Sequence, residues 1–146
     1  MTGFRRLSET VFASPQITPD DIAAARGAGV TLVINNRPDG EAEDQPPGAR
    51  IEAAAREAGM DYRAIPVGGA GFGEPQVEAM AEALESAQGA VLAYCRSGTR
   101  STLLWSLAQA RAGRDPEEIA AAAQAAGYDV APVRPAIDML AARARG

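Results

Sequence analysis

The chain has 146 residues, 47% of them apolar, with a net charge of −5 and a pI of about 4.8. That is the size of one ordinary domain with enough apolar surface for a core, and residues 1–146 read as a single unit. The acidic balance and an aromatic content of only 5% argue against nucleic acid or an anionic membrane as the main partner, so any anion site must be local.

Histidine is absent and Cys95 is the only cysteine. A Ser-His-Asp triad and a Cys-His dyad are therefore excluded. A zinc site of the usual Cys/His kind is not expected, and neither is any other metal or organic cofactor. An internal disulfide and a Cys-x-x-Cys redox pair are impossible. All 14 basic residues are arginine, which reads as composition rather than function. Residues Met1 to Glu9 carry no apolar leader, and no stretch is long and apolar enough to span a membrane. A cytoplasmic, reducing home suits the free thiol.

In chain order, Val11-Phe12-Ala13 predicts a short strand. Thr18-Pro19-Asp20-Asp21 then predicts a helix start capped by the threonine, with Gly27 and Gly29 closing it. Thr31 to Ile34 is a β-branched run that predicts a buried strand. It breaks at the turn-rich loop Asn35-Asn36-Arg37-Pro38-Asp39-Gly40. Gln45-Pro46-Pro47-Gly48 is a second break. A helix is predicted from Ile51 to Ala58, stopped by Gly59. Tyr62 to Val67 predicts the third strand, and Gly68 to Gly73 a glycine-rich loop. Pro75 starts a helix with Val77, Met80, Ala81 and Leu84 on one face, ending at Gln88-Gly89.

Ala90 to Tyr94 is the clearest buried strand. The next helix buries Leu103, Leu104, Leu107 and Ala108. Asp115-Pro116-Glu117-Glu118 has capping-box spacing. It opens a helix with Ile119, Ala122, Ala123 and Ala126 inside and Gly127 at its end. A last helix is predicted from Pro135 to Ala144. Strands alternating with helices predict an α/β fold, a small, mainly parallel, four-stranded sheet flanked by helices.

Between the fourth strand and its helix lies Cys95-Arg96-Ser97-Gly98-Thr99-Arg100. In open α/β sheets ligands sit at the carboxyl ends of strands. A thiol there faces a helix N-terminus and converging loop amides, which favour thiolate. Gly98 permits a turn that a Cβ would block. Arg96, Ser97, Gly98 and Thr99 form the anion-binding loop. Arg100 offers a forked cation for a tetrahedral oxyanion. Ser101 is placed to cap the helix and to hydrogen-bond the sulfur. Such a cradle activates the nucleophile without a histidine base. A buried structural cysteine followed by a turn is the plainer alternative, but Arg-Ser-Gly-Thr-Arg-Ser is hard to explain as packing.

These residues resemble a known family: the beta-lactamase-hydrolase-like, phosphatase-like domains, also described as sulfur transferases. The resemblance rests on Pro15-Gln16-Ile17, Ile34-Asn35-Asn36-Arg37-Pro38-Asp39-Gly40-Glu41, Ile65-Pro66-Val67 and Tyr94 to Ser101. It implies a fold like that of the dual-specificity phosphatases and a small anionic substrate, either a phosphate ester or a sulfane-sulfur donor. It also implies a persulfide dioxygenase or sulfide-oxidising partner.

Two departures bear on the chemistry. Cysteine phosphatases of this fold place five residues between cysteine and arginine and usually a histidine before the cysteine. Here four residues intervene, as in many rhodanese-type loops, and Tyr94 precedes Cys95. Those phosphatases also carry an aspartate after the Ile-Pro of the third strand, where this chain has Val67. A general acid of that kind contributes about a hundredfold to ten-thousandfold for alkoxide leaving groups. Glu74 and Asp39 are the candidate substitutes, each also explicable as a solvated or capping residue. Sulfur transfer needs no such acid. The sequence therefore favours sulfur transfer through a Cys95 persulfide, with a phosphatase acting through a Cys95 phosphocysteine as the alternative and a non-catalytic anion-binding module as the third reading. Arg37 is a candidate rim residue for the substrate anion, or a partner for Asp39 or Glu41. Asn36 is a further candidate rim residue, as are Asp39 and Glu74, although Asn35 and Asn36 are better explained as satisfying buried loop backbone.

Overall fold

A computed structural model describes residues 3–146. Met1 and Thr2, at the start of the stretch read above as lacking a leader, lie outside the described residues. The strands are β1 (Arg5–Arg6), β2 (Val11–Ser14), β3 (Val30–Asn35), β4 (Asp61–Ala64) and β5 (Ala90–Tyr94). The helices are α1 (Asp21–Gly27), α2 (Gly48–Glu57), α3 (Glu74–Ser86), α4 (Thr99–Arg111), α5 (Pro116–Ala125) and α6 (Arg134–Arg145). A single 3-10 turn, Ala131–Val133, precedes α6.

The sheet order is β1-β2-β5-β3-β4, parallel except for the β1–β2 pair. It therefore has five strands, not four. The extra one is a two-residue antiparallel edge ribbon, and Arg-Arg carries none of the apolar alternation that marks a strand. β5 lies in the middle and is buried along nearly its whole length. A strand paired on both sides and covered on both faces must be continuously apolar, and Ala90 to Tyr94 is.

Two apolar layers flank the sheet. One gathers Ile22, Ile51, Ala55, Met60, Val33 and Leu92 under α1 and α2. The larger gathers Leu32, Ile34, Val91, Ala93, Met80 and the face of α4. Helix α4 is buried almost all round, from Ser101 to Ala110, because α3, α5 and α6 pack over it. A helix so enclosed is a fixed base for the loop at its N-terminus. None of the helices among the described residues is long and apolar enough to cross a membrane.

Several boundaries differ from the sequence expectation. Helix α1 begins at Asp21, and Thr18 does not cap it with its side chain; instead the Asp21 carboxylate accepts the Thr18 N–H at 2.8 Å. Helix α2 begins at Gly48, ahead of Ile51, as soon as Pro47 ends. Pairing in β4 stops at Ala64, because Pro66 has no N–H. The chain nonetheless stays bonded to the β3 end through Ile65 N–H to Asn35 O (2.9 Å) and Val67 N–H to Asn36 O (3.0 Å). Asp115 caps α5 as expected, accepting the Glu117 N–H.

Candidate active site

β5 delivers Cys95 at the carboxyl end of the sheet, and the chain turns at once into α4. Neighbouring strand ends hold the turn on one side: Cys95 N–H donates to Ser14 O (3.3 Å) and Gln16 N–H donates to Arg96 O (3.2 Å). Gly98 is the residue that flanks the helix start, with φ +93°. Only glycine adopts that left-handed conformation without strain. The turn aims the Gly98 N–H at the Cys95 sulfur, 3.1 Å away. Cys95 itself is wholly buried at the floor of the loop. Arg96, Ser97 and Thr99 are exposed around it, with Ser97 Oγ donating to Thr99 Oγ1.

Ser101 does not do what the sequence suggested. Gly98 occupies the capping position, and the Ser101 hydroxyl donates to Asn36 Oδ1 at 2.8 Å. Asn36 is not a rim residue: it is fully buried, with its side-chain amide committed to Ser101 and Ile65. Its N–H reaches Tyr94 O (2.8 Å), its carbonyl takes Val67 N–H, and its side-chain amide reaches Ile65 O (2.9 Å). One residue, through backbone and side chain together, thus ties the end of β3 to the extension of β4, to β5 and to α4 beneath the loop. Asn35 does the same locally, accepting Arg37 N–H and donating to the Tyr62 hydroxyl.

Arg100 reaches across the mouth of the loop. Its Nη1 donates to Glu41 Oε2 (2.8 Å) and to Val67 O (2.7 Å), and its Nη2 donates to Glu41 Oε1 (2.8 Å). A guanidinium has five N–H donors in a fixed plane. Three are used here, all at the end of the fork. The pair that remains, Nε–H and one Nη2–H, lies along one edge and matches two oxygens of a tetrahedral anion. The Glu41 contact holds Arg100 above its ordinary pKa, burial opposes this, and the nearby Cys95 sulfur adds to the rise.

The sequence offers Glu41 only as a partner for Arg37. Glu41 does pair with Arg37, accepting Nε–H at 2.9 Å, but its main partner is Arg100. Arg100, opposed by burial and helped by Arg37, brings its carboxyl down to about 2. Arg37 is almost fully buried and also donates to Gln16 Oε1 (3.0 Å). Its donors thus serve the loop framework rather than an open rim. The Arg37-to-Glu41 spacing was visible in the sequence; the Glu41-to-Arg100 pairing, 59 residues apart, was not.

The two candidate general acids are both exposed. Asp39 is exposed, and its Oδ1 accepts Gly48 N–H (2.8 Å) at the start of α2. Glu74 is the exposed first residue of α3 and borders a groove of about 420 Å³ with Leu107, Met139 and Arg143, away from the loop. Val67 is buried, and its contribution to the site is its backbone carbonyl on Arg100. Among the described residues no group of histidine, cysteine or acidic side chains is placed to hold a metal.

Residues 3–112 match the family described as beta-lactamase hydrolase-like protein, phosphatase-like domain. The beta-lactamase hydrolase-like protein of Xylella fastidiosa is 35% identical over 125 residues, 85% of this chain but 29% of that protein. The chain thus spans under a third of that relative's length. The crystal structure of a candidate phosphatase from Neisseria meningitidis superposes with a TM-score of 0.83 at 35% identity, covering 96% of this chain and 99% of that one. The P. aeruginosa protein TpbA, crystallised as a cysteine-to-serine variant with phosphotyrosine, superposes with a TM-score of 0.68 at 18% identity, covering 99% and 91%. The shared fold is that of the cysteine phosphatases.

Proposed function

The chain belongs to the family of phosphatase-like domains of beta-lactamase hydrolase-like proteins, and from that premise we propose that it is a cysteine-dependent phosphatase acting on aryl phosphate esters. The observation that carries the reading is the disposition of Arg100. Its end-on donors are committed to Glu41 and Val67, and its side-on pair is left for an oxyanion above Cys95.

In this reading the Cys95 thiolate attacks phosphorus and forms an S–P bond while the P–O bond to the leaving group breaks. The Gly98 N–H and its loop neighbours, with Arg100, hold the equatorial oxygens where charge gathers. Water then attacks the phosphocysteine, releasing phosphate and restoring the thiolate. Arg96, Ser97 and Thr99 line the mouth and meet the rest of the substrate. Asn36 and Ser101 hold the loop from below. Glu41 fixes the Arg100 fork and, being ionised far below neutrality, has no proton to give. The leaving group therefore departs without an acid, which suits a phenolate and not an alkoxide.

The family and its fold favour phosphoryl transfer over the sulfur transfer that the loop length suggested. Sulfur transfer stays the second reading on two specific features, the four-residue loop and Val67 in place of an acid. The deciding experiment incubates reduced protein and Cys95→Ser with an aryl phosphate and, separately, with thiosulfate. Cys95-dependent phosphate release with no gain of mass from thiosulfate is expected. A cyanide-labile gain of sulfur on Cys95, without phosphate release, would reverse the assignment.

A further inference from the structure

The Tyr128 side chain lies against the loop from a separate part of the chain, just past the end of α5. Its hydroxyl donates to the Ser97 carbonyl at 3.1 Å. Ser97 C=O and Gly98 N–H belong to one peptide unit, and the unit is trans. In a trans peptide the two groups point in opposite directions. The carbonyl is drawn outward by Tyr128, and the N–H points inward to the Cys95 sulfur at 3.1 Å.

Two further features bind Tyr128 to this place. A Cβ on Gly98 would collide with the Tyr128 hydroxyl, so the ring closes over the bare backbone that φ +93° already requires. On its other side the Arg5 guanidinium sits 5.6 Å from the ring centroid and donates through Nη1 to Ala126 O (3.0 Å). The edge strand β1 thereby anchors the segment that carries the tyrosine. Burial holds Tyr128 above its usual pKa, against the effect of Arg5, so the hydroxyl stays a donor.

We propose that Tyr128 is a positioning residue of the nucleophile loop, fixing the Ser97–Gly98 peptide so that its N–H faces the Cys95 sulfur and any anion bound there. The proposal rests on Cys95 being the nucleophile. Tyr128→Phe keeps the ring and removes only the donor. The test follows alkylation of Cys95 by iodoacetamide at neutral and at strongly alkaline pH, beside kcat for 4-nitrophenyl phosphate and the thermal midpoint.

Alkylation of Tyr128→Phe at neutral pH should be slower by about threefold to tenfold, the value of one lost hydrogen bond. At strongly alkaline pH the rates of the two proteins should coincide. The kcat should fall by a similar factor while the thermal midpoint stays within a few degrees. Equal alkylation at neutral pH would overturn the proposal. So would equal slowing at both pH values, because that marks altered access instead of altered thiolate stabilisation. If the parent hydrolyses no phosphate ester, the phosphatase reading fails, and the alkylation comparison still decides the role of Tyr128.

Discussion

Glu41 and Arg100 meet end-on, Oε2 to Nη1 and Oε1 to Nη2 at 2.8 Å each, and this pair sets the direction of the guanidinium that reaches across the mouth of the Cys95 loop. A planar fork braced at its end cannot rotate about its long stem. The edge that remains is thereby presented in one orientation, which a flexible ammonium could not match.

Replacing Arg100 by lysine should keep the charge and lose the geometry. A point charge cannot hold Glu41, Val67 O and two anion oxygens together. The kcat/KM for 4-nitrophenyl phosphate should fall by about a hundredfold to a thousandfold, the scale of losing a preorganised oxyanion donor. Steady-state kinetics on refolding-competent protein would check this, and a loss below tenfold would remove Arg100 from the centre of the mechanism.

The Glu41 contact should also leave a signature in acid. Its folded-state pKa, about 2, lies below the ordinary 4.5, so its ionised form is favoured by folding. The stabilisation is fully present above pH 4.5 and is lost as pH falls toward 2. Solvent screening at this partly open position trims it to about 1 kcal/mol. Thermal midpoints of the parent and Glu41→Gln should differ at pH 6 and converge near pH 2. Parallel curves would mean that the pair contributes no linked stability.

With Val67 standing where an acid would serve, the rate should depend steeply on the leaving group. Phenyl phosphates with electron-withdrawing substituents should be hydrolysed well. Alkyl phosphates should be slower by at least about a hundredfold, the smallest usual contribution of a general acid. Val67→Asp would offer the missing proton only by displacing a buried side chain, so the clean measurement is a leaving-group series on the parent. Comparable rates across the series would mean that an acid reaches the site in the working enzyme.

Asn36→Ala should be the most damaging of the substitutions at the base of the loop. It orphans the Ser101 hydroxyl and the Ile65 carbonyl, both buried. Each unsatisfied group costs about 1–3 kcal/mol, so a stability loss of about 2–6 kcal/mol is expected. Urea unfolding would measure it. A loss under 1 kcal/mol would show that the loop does not depend on this knot.

The local chemistry of this chain was written in its sequence. The strand Ala90 to Tyr94 is apolar throughout because it is paired and covered on all sides, and Cys95 follows it into a helix whose start needs a glycine. Composition excluded the histidine-based mechanisms before any fold was known. Asn36 was legible as a residue that satisfies loop backbone, though not as the partner of Ser101. What only tertiary structure decided is which side chains meet across the carboxyl end of the sheet. Glu41 reaches Arg100, Tyr128 reaches Ser97, and Arg5 reaches Ala126, all across long separations that carry no local periodicity. Hydrophobic period and turn chemistry report on neighbours within a few positions, so they specify strands, helices and their ends. Polar contacts between loops arise only once the strand order β1-β2-β5-β3-β4 brings those loops together. That ordering put the Val67 carbonyl and a committed carboxylate, Glu41, beside the arginine, while Asp39 holds the Gly48 N–H and Glu74 opens α3.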